Sequence, residues 1–396
     1  MNRVATFFTH SHHAVELDWS IPLIIEFAKT TQVQIICTNI FSFEGTLYKK
    51  FPMIKGNKNI SIIYLDEIYS LNRIKTLLFS QKLIYRILIK VIPKMVTYKK
   101  IKKYCENSQL IFASNHLVTE TQSIANLFYK CAKDSNAIFV GIPLVPWTSW
   151  YQWYLFDFDY FLSSSKSEFQ ELKALKSESK ILFLGCPPFE DNHYSSIDTK
   201  EDSNKMNKTQ KTVLFIMVNT TNPIYVKYLD IYEDIRQFVL FLESRDYKCI
   251  IKLHPESLLE DKIKFKNIGI SDSYFVYDSI ESICSKVDIA ITYLSTAILK
   301  CVARKVISFT YLPQSFLSSF PNNGEVYQQV YFTSKELDVC RLEDYCYKIE
   351  TPDEIADIFE IENDLKAEYL LKNFQPENSS VRIIEYFNSV VENQEG

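Results

Sequence analysis

The strongest constraint on this chain is a repeated alternation of short apolar runs with helical segments, interrupted once by a polar stretch. Parallel strands cannot be joined by tight hairpins, so each needs a crossover, usually a helix, and strand-helix alternation is its signature. Runs at Val4–Thr9, Val33–Thr38, Ile60–Leu65, Leu110–Ala113, Ala137–Val140 and Tyr160–Ser163 each give way to polar residues. Helical spacing starts at Ser20, with Pro22 two residues on, and runs to Thr30. Between Asp191 and Lys211 the periodicity disappears into HYSSIDTKEDSNKMNKTQK, the best linker in the chain. A second series follows, with strands at Val213–Val218, Cys249–Leu253, Tyr274–Tyr277, Asp288–Thr292 and Val306–Thr310. Its helices are expected at Tyr232–Ser244, Ile280–Ser285, Thr296–Ala303, Asp353–Phe359 and Ser380–Glu392. The expectation is two doubly wound α/β domains with a cleft between them, residues 1–190 and 212–396, joined by a linker at 191–211. The last helix is free to pack back on the first domain.

Bulk properties narrow the function. With 396 residues and 47% hydrophobic content, two substantial cores can form. Only 7 glycines are present, which argues against glycine-rich phosphate loops. Any bound phosphate must rely on helix N-termini and side chains. A net charge of −4 offers no global basic field for nucleic acid. The 9 cysteines form no CxxC pair and sit in apolar runs, as reduced, buried thiols do, so no structural zinc is expected. MNRVATFFTHSHH reads as a first strand rather than a signal peptide, and no run approaches the ~18 apolar residues of a membrane span. The expected location is the cytoplasm, with any membrane contact peripheral to the inner face.

Two segments carry candidate chemistry. Lys252-Leu253-His254-Pro255-Glu256 ends a strand, where open α/β sheets bind ligands. His254 there can donate to a phosphate or ribose oxygen, Pro255 turns the chain away, and Lys252 adds positive charge. Downstream, Asp288–Thr292 leads through a short turn to Ser295-Thr296 at a helix start. Free backbone N–H groups and two hydroxyls at that point suit an anion, although Ser and Thr also cap most helices without binding anything.

A strand ending in K-x-H-P, then a D-hydrophobic-x-hydrophobic-T-x-x-S-x-A turn, resembles the C-terminal half of GT-B glycosyltransferases that build bacterial capsule and O-antigen. The relatives in view use cytidine-activated donors: polysialyltransferases, Kdo transferases and CDP-glycerol transferases. Asp159-Tyr160-Phe161-Leu162-Ser163-Ser164-Ser165, with Leu184-Gly185-Cys186-Pro187, is similar to their crossover into the second domain. The resemblance covers roughly residues 155–315. It implies two Rossmann-like domains, acceptor bound by the first, and a cytidine nucleotide donor held by His254, Pro255, Ser295 and Thr296. The donor it points to is a CMP-linked Kdo or sialic-type acid, then a CDP-linked polyol. One departure stands out. Retaining members place an Asp after the first strand of the second domain, and here Asn219-Thr220-Thr221-Asn222-Pro223 follows instead. An inverting displacement is therefore favoured, with Asn219 and Thr220 on the donor.

Such a displacement needs a general base from the first domain. The loop with His10, His12, His13, Glu16 and Asp18 supplies candidates, His13 and Asp18 foremost, and His116 with Glu120 is an equal rival. Neither a metal nor another cofactor is called for, because no DxD-type carboxylate pair follows a strand in a suitable place. Arg73–Lys103 holds 10 Lys or Arg and no acid, interleaved with Leu, Ile and Tyr. It is either a membrane-surface contact suited to a lipid-linked glycan acceptor or a solvated face of a core helix. The Trp147–Trp153 stretch is either a sugar platform or packing. A sugar-nucleotide epimerase and a non-catalytic scaffold of glycan assembly remain as alternatives.

Overall fold

The computed structural model describes residues 4–9, 15–37, 54–64, 98–114, 124–143, 158–174, 180–190, 210–220, 231–255, 257–293, 295–313, 315, 342–355 and 364–395. The chain divides into two compact units, Met1–Glu190 with Gln375–Gly396, and Asp191–Phe374.

The first unit is built on a seven-stranded sheet. In chain order its strands are β1 (Val4–Thr9), β2 (Gln32–Cys37), β3 (Ile60–Tyr64), β4 (Leu110–Ser114), β5 (Ile138–Ile142), β6 (Tyr160–Leu162) and β7 (Lys180–Leu182). They lie in the order β3-β2-β1-β4-β5-β6-β7, and every pair is parallel. Side chains alternate across the strands and build two cores. On one face Phe7 stacks on Phe112 at 4.7 Å, and Phe112 meets Phe387 edge-on at 5.7 Å. On the other, Phe8 stacks on Phe128 at 4.0 Å, with Ile111, Ala113 and Phe139 in the same cluster.

Helix α1 (Val15–Phe27) begins five residues earlier than the Ser20 start read from the sequence, and it keeps Pro22 inside. An internal proline removes a helical hydrogen bond and costs about 3 kcal/mol. Burial of Leu17, Trp19, Ile21, Leu23, Ile24 and Phe27 outweighs it. Helix α2 (Ile124–Lys133) follows β4 and α3 (Lys166–Ala174) follows β6, and residues 98–106 are helical ahead of β4. Ser165 caps α3 by accepting from the Glu168 N–H at 3.1 Å, while the Glu168 carboxylate reaches back to the Ser164 N–H. The serine run of the crossover motif is thus a helix cap.

The second unit repeats the plan with six parallel strands. They are β8 (Thr212–Ile216), β9 (Lys248–Lys252), β10 (Phe275–Val276), β11 (Ile289–Thr292), β12 (Ile307–Tyr311) and β13 (Tyr347–Ile349). Their order, β10-β9-β8-β11-β12-β13, repeats that of the first six strands of the other sheet. Among the described residues its helices include α4 (Ile231–Glu243), α5 (Leu258–Asn267), α6 (Ile280–Cys284), α7 (Ile298–Val302), α8 (Leu342–Tyr345) and α9 (Asp364–Phe374). Sequence reading missed β7 and β13, three-residue edge strands too short to show a period. It also placed α7 two residues early, at Thr296.

The final helix, α10 (Ser379–Glu395), belongs to the first unit, where Phe387 packs on the sheet. Buried Glu190 holds its start, accepting from Ser379 Oγ at 2.7 Å, Ser380 N at 2.5 Å and Ser380 Oγ at 2.9 Å. A carboxylate at a helix N-terminus also meets the positive end of the helix dipole. Beside it, Gly185 has φ +103°, and a Cβ there would lie 2.3 Å from the Gln375 carbonyl oxygen.

Gly185→Ala should therefore destabilise the protein by about 2 kcal/mol or more, from left-handed strain plus the clash, read as a lowered urea midpoint. Alkaline titration gives a second check. Burial pushes the Cys131 and Cys249 thiols up from 9.0 to about 12. Because the folded state holds the proton more tightly, this stability is complete below pH 9 and is lost as pH rises towards 12. The urea midpoint should fall steadily across that window.

Candidate functional site

In a doubly wound sheet the crevice opens where the strand order reverses, outside the carboxyl ends of the strands. In the second unit that point lies between β8 and β11, with β9 on the other side of β8. The register aligns Lys252 with Ile216, and Ile216 with Thr292. Three adjacent strands thus end level. Asn219 lies three residues beyond the end of β8, His254 two beyond β9, and Ser295 three beyond β11. Lys252, His254, Pro255, Asn219, Thr220, Ser295 and Thr296 all belong to this edge, although they are spread over 78 positions of sequence from 219 to 296.

Each stretch is tied down locally. The Met217 N–H donates to the Lys252 carbonyl at 2.9 Å, extending the β8–β9 ladder past the strand end. His254 is half-buried, and its carbonyl accepts from the Ser257 N–H at 3.3 Å, which closes the turn through exposed Pro255. Thr292 Oγ1 donates to the Ile216 carbonyl at 2.9 Å. Asn219 is half-buried.

Two details change the sequence reading. Thr220 is buried, and its hydroxyl donates to Asp261 Oδ1 at 2.5 Å. That hydroxyl proton is committed inside the protein, and the contact ties the segment after β8 to α5. Asp261 is fully buried and was not recognised from sequence. The only signal was Ser257 four residues ahead of it, and Ser257 reads as a helix cap. In the structure Ser257 makes no cap bond, and its hydroxyl donates to Asp261 Oδ2 at 2.7 Å. Second, α7 spans five residues and has Ala297 as its cap. Ser295 Oγ accepts from the Ala297 N–H at 3.3 Å, and the Ser295 and Thr296 carbonyls open the first turn. A helix this short carries little macrodipole, so any anion there would depend on local N–H groups and hydroxyls.

The turn has a firm seat. Lys300 of α7 pairs with Glu281 of α6 at 2.5 Å, both largely buried. Cys284 and Cys301 place their sulfurs 3.1 Å apart between the same two helices. Asp288, first residue of the sequence motif, lies at the opposite, amino end of the sheet, where its carboxylate accepts from the Thr212 N–H at 2.7 Å. Asp159 does the same for the Phe139 N–H at 2.8 Å in the first unit. Both acids align strands.

In the first unit the order reverses between β1 and β4, and Phe8 lies opposite Ala113. The chain leaves this point towards His10–His13 after Thr9, and towards Asn115-His116 after Ser114. In the sequence, the segments that carry the two rival base clusters follow these neighbouring strands. His10, His12, His13, His116 and Glu120 lie outside the described residues. Asp18 falls on the backbone of α1, with its side chain outside them. Trp147–Trp153 and residues 73–97 of the basic segment also lie outside. Residues 98–103 are helical, with Ile101 buried and Lys99, Lys100 and Lys103 exposed, a solvated basic face on a core helix. Among the described residues, no group of three or more His, Cys, Asp or Glu could hold a metal ion, and no helix is long and apolar enough to cross a membrane.

No family model matches this chain, and no curated protein does. Solved structures match over nearly the whole length. The putative UDP-N-acetylglucosamine 2-epimerase of Listeria monocytogenes is 12% identical, with a TM-score of 0.58 over 99% of this chain and 98% of that one. S. aureus MnaA in its UDP co-structure is 11% identical, with a TM-score of 0.58 over 98% and 97%. A glycosyltransferase from Rickettsia africae is 11% identical, with a TM-score of 0.52 over 99% of each chain. The fold is GT-B, two Rossmann-like α/β domains with parallel sheets.

Glu281→Ala should remove the carboxylate that pairs with the largely buried Lys300 ammonium and cost about 3 kcal/mol. A drop in the urea midpoint, with Glu281→Gln intermediate, would check this.

Proposed function

We propose that this chain is an enzyme acting on a nucleotide-activated sugar, and that the second unit binds the nucleotide phosphates at the carboxyl edge of its sheet. The supporting observation is the level ending of β8, β9 and β11, which gathers Asn219, His254, Ser295 and Thr296 from separate motifs onto one edge. In this reading His254 donates to a phosphate oxygen, while the Ser295–Ala297 turn and Lys252 offset the charge that develops as the nucleotide leaves. Thr220 positions the loop, and Asn219 bonds phosphate or sugar. The sugar passes by direct displacement, with inversion, to a glycan acceptor. The base comes from the first unit, from His13, Asp18, His116 or Glu120, on chain segments that follow β1 and β4. A lipid-linked acceptor is compatible with the basic segment Arg73–Lys103.

A second reading has its own support. The full-length structural likeness to UDP-N-acetylglucosamine 2-epimerases favours a uridine nucleotide and an epimerisation over a cytidine donor and transfer. The two differ in chemistry. Epimerisation at a carbon bearing hydrogen must remove and replace a substituent there and needs no acceptor. Transfer consumes an acceptor and leaves the donor sugar's other centres unchanged.

Thermal-shift titration with UDP, UDP-N-acetylglucosamine, CMP and CDP, on wild type and His254→Ala, tests the shared site. A ligand at a hundredfold excess over its dissociation constant stabilises by roughly 2.7 kcal/mol, a readily visible shift. The site predicts a shift with at least one nucleotide that is lost in His254→Ala. No shift, or an equal shift in the variant, would remove His254 from the site. Proton NMR of UDP-N-acetylglucosamine with the enzyme in D2O separates the readings. A new sugar isomer without acceptor supports epimerisation, and an unchanged sugar removes epimerisation of UDP-N-acetylglucosamine.

A further inference from the structure

We infer that Asp261 is a positioning residue of the nucleotide edge, a buried carboxylate that sets the loops after β8 and β9 relative to one another. This rests on the site proposed above. Asp261 is fully buried near the start of α5 and accepts three hydroxyl hydrogen bonds. Thr220 Oγ1 donates to Oδ1 at 2.5 Å, Tyr232 Oη to Oδ1 at 2.6 Å, and Ser257 Oγ to Oδ2 at 2.7 Å. Thr220 directly follows Asn219. Tyr232 lies in α4. Ser257 holds the His254 carbonyl through its own N–H. One side chain therefore joins the segment carrying Asn219, the helix that follows it, and the turn carrying His254.

The character of the donors makes this linkage sensitive. Among the described residues Asp261 has no ion-pair partner, and the three donors named are neutral. An isolated carboxylate is costly to bury, so the hydroxyls must converge on it together. Removing one leaves the other two to rearrange around a charge that still needs satisfying, which moves the loops they belong to. A carboxylate here for stability alone would tolerate that movement. A carboxylate that places Asn219 and His254 would not.

The test compares Thr220→Val, Tyr232→Phe, Ser257→Ala and Asp261→Asn with wild type in full-length protein. Calorimetric titration with UDP, UDP-N-acetylglucosamine, CMP and CDP is run well below each unfolding transition, and far-UV circular dichroism confirms the fold. Tyr232→Phe and Ser257→Ala matter most, because neither hydroxyl is assigned to the ligand. Each single-hydroxyl variant should weaken nucleotide binding by about fivefold and Asp261→Asn by more than about tenfold, whereas Thr220→Ser, which keeps the hydroxyl, should bind within about twofold of wild type. Folded variants that bind as wild type, even with lowered melting temperatures, would overturn the positioning role and leave the site intact. Wild-type protein that binds none of UDP, UDP-N-acetylglucosamine, CMP and CDP would overturn the site reading and this role with it. If Asp261→Asn fails to fold, the three single-hydroxyl variants decide the matter.

Discussion

Because every described strand pairs in parallel with its neighbours, each connection must return along the outside of the sheet, and all carboxyl ends finish at one edge. From this follows the placement of the described candidate residues of the second unit. Where strand order diverges, as between β8 and β11, no crossover packs between the segments that follow, which is where open α/β sheets bind ligands. The ladder register then decides which residues meet. Ile216 sits between Lys252 and Thr292, so a shift of one residue would move His254 out of step with Ser295 and invert the faces of the strand.

Acids hold this geometry at both ends of the sheet, Asp261 and Glu190 buried, Asp288 and Asp159 exposed. Asp288 receives the first N–H of β8 at the amino edge, and Asp261 gathers three hydroxyls at the carboxyl edge. In the first unit Asp159 and Glu190 have corresponding duties, one aligning a strand and the other capping α10. None of the four is placed here as a ligand to substrate. In each case a carboxylate organises backbone or hydroxyl donors that would otherwise be buried without partners.

The duplication of strand order in two sheets, with different loops on each, is how one architecture supports different chemistries. Structures that share this fold at 11–12% identity include epimerases and a glycosyltransferase. The groups that choose between reactions lie on loops, where they vary freely.

The fold class, the boundaries of most strands to within a residue or two, and the strand-end positions of His254 and Ser295 were legible in the sequence, because they rest on local apolar periodicity and on turn residues. α1 was misread at Pro22, since proline usually marks a helix start and only tertiary burial of Trp19, Ile21 and Phe27 lets it sit inside. Thr220 looked like a ligand-binding hydroxyl until Asp261, 41 positions further on, was found to accept from it. Such long-range partners leave no periodic trace. A carboxylate on a helix looks the same in sequence whether it faces water or three hydroxyls, and only packing decides which.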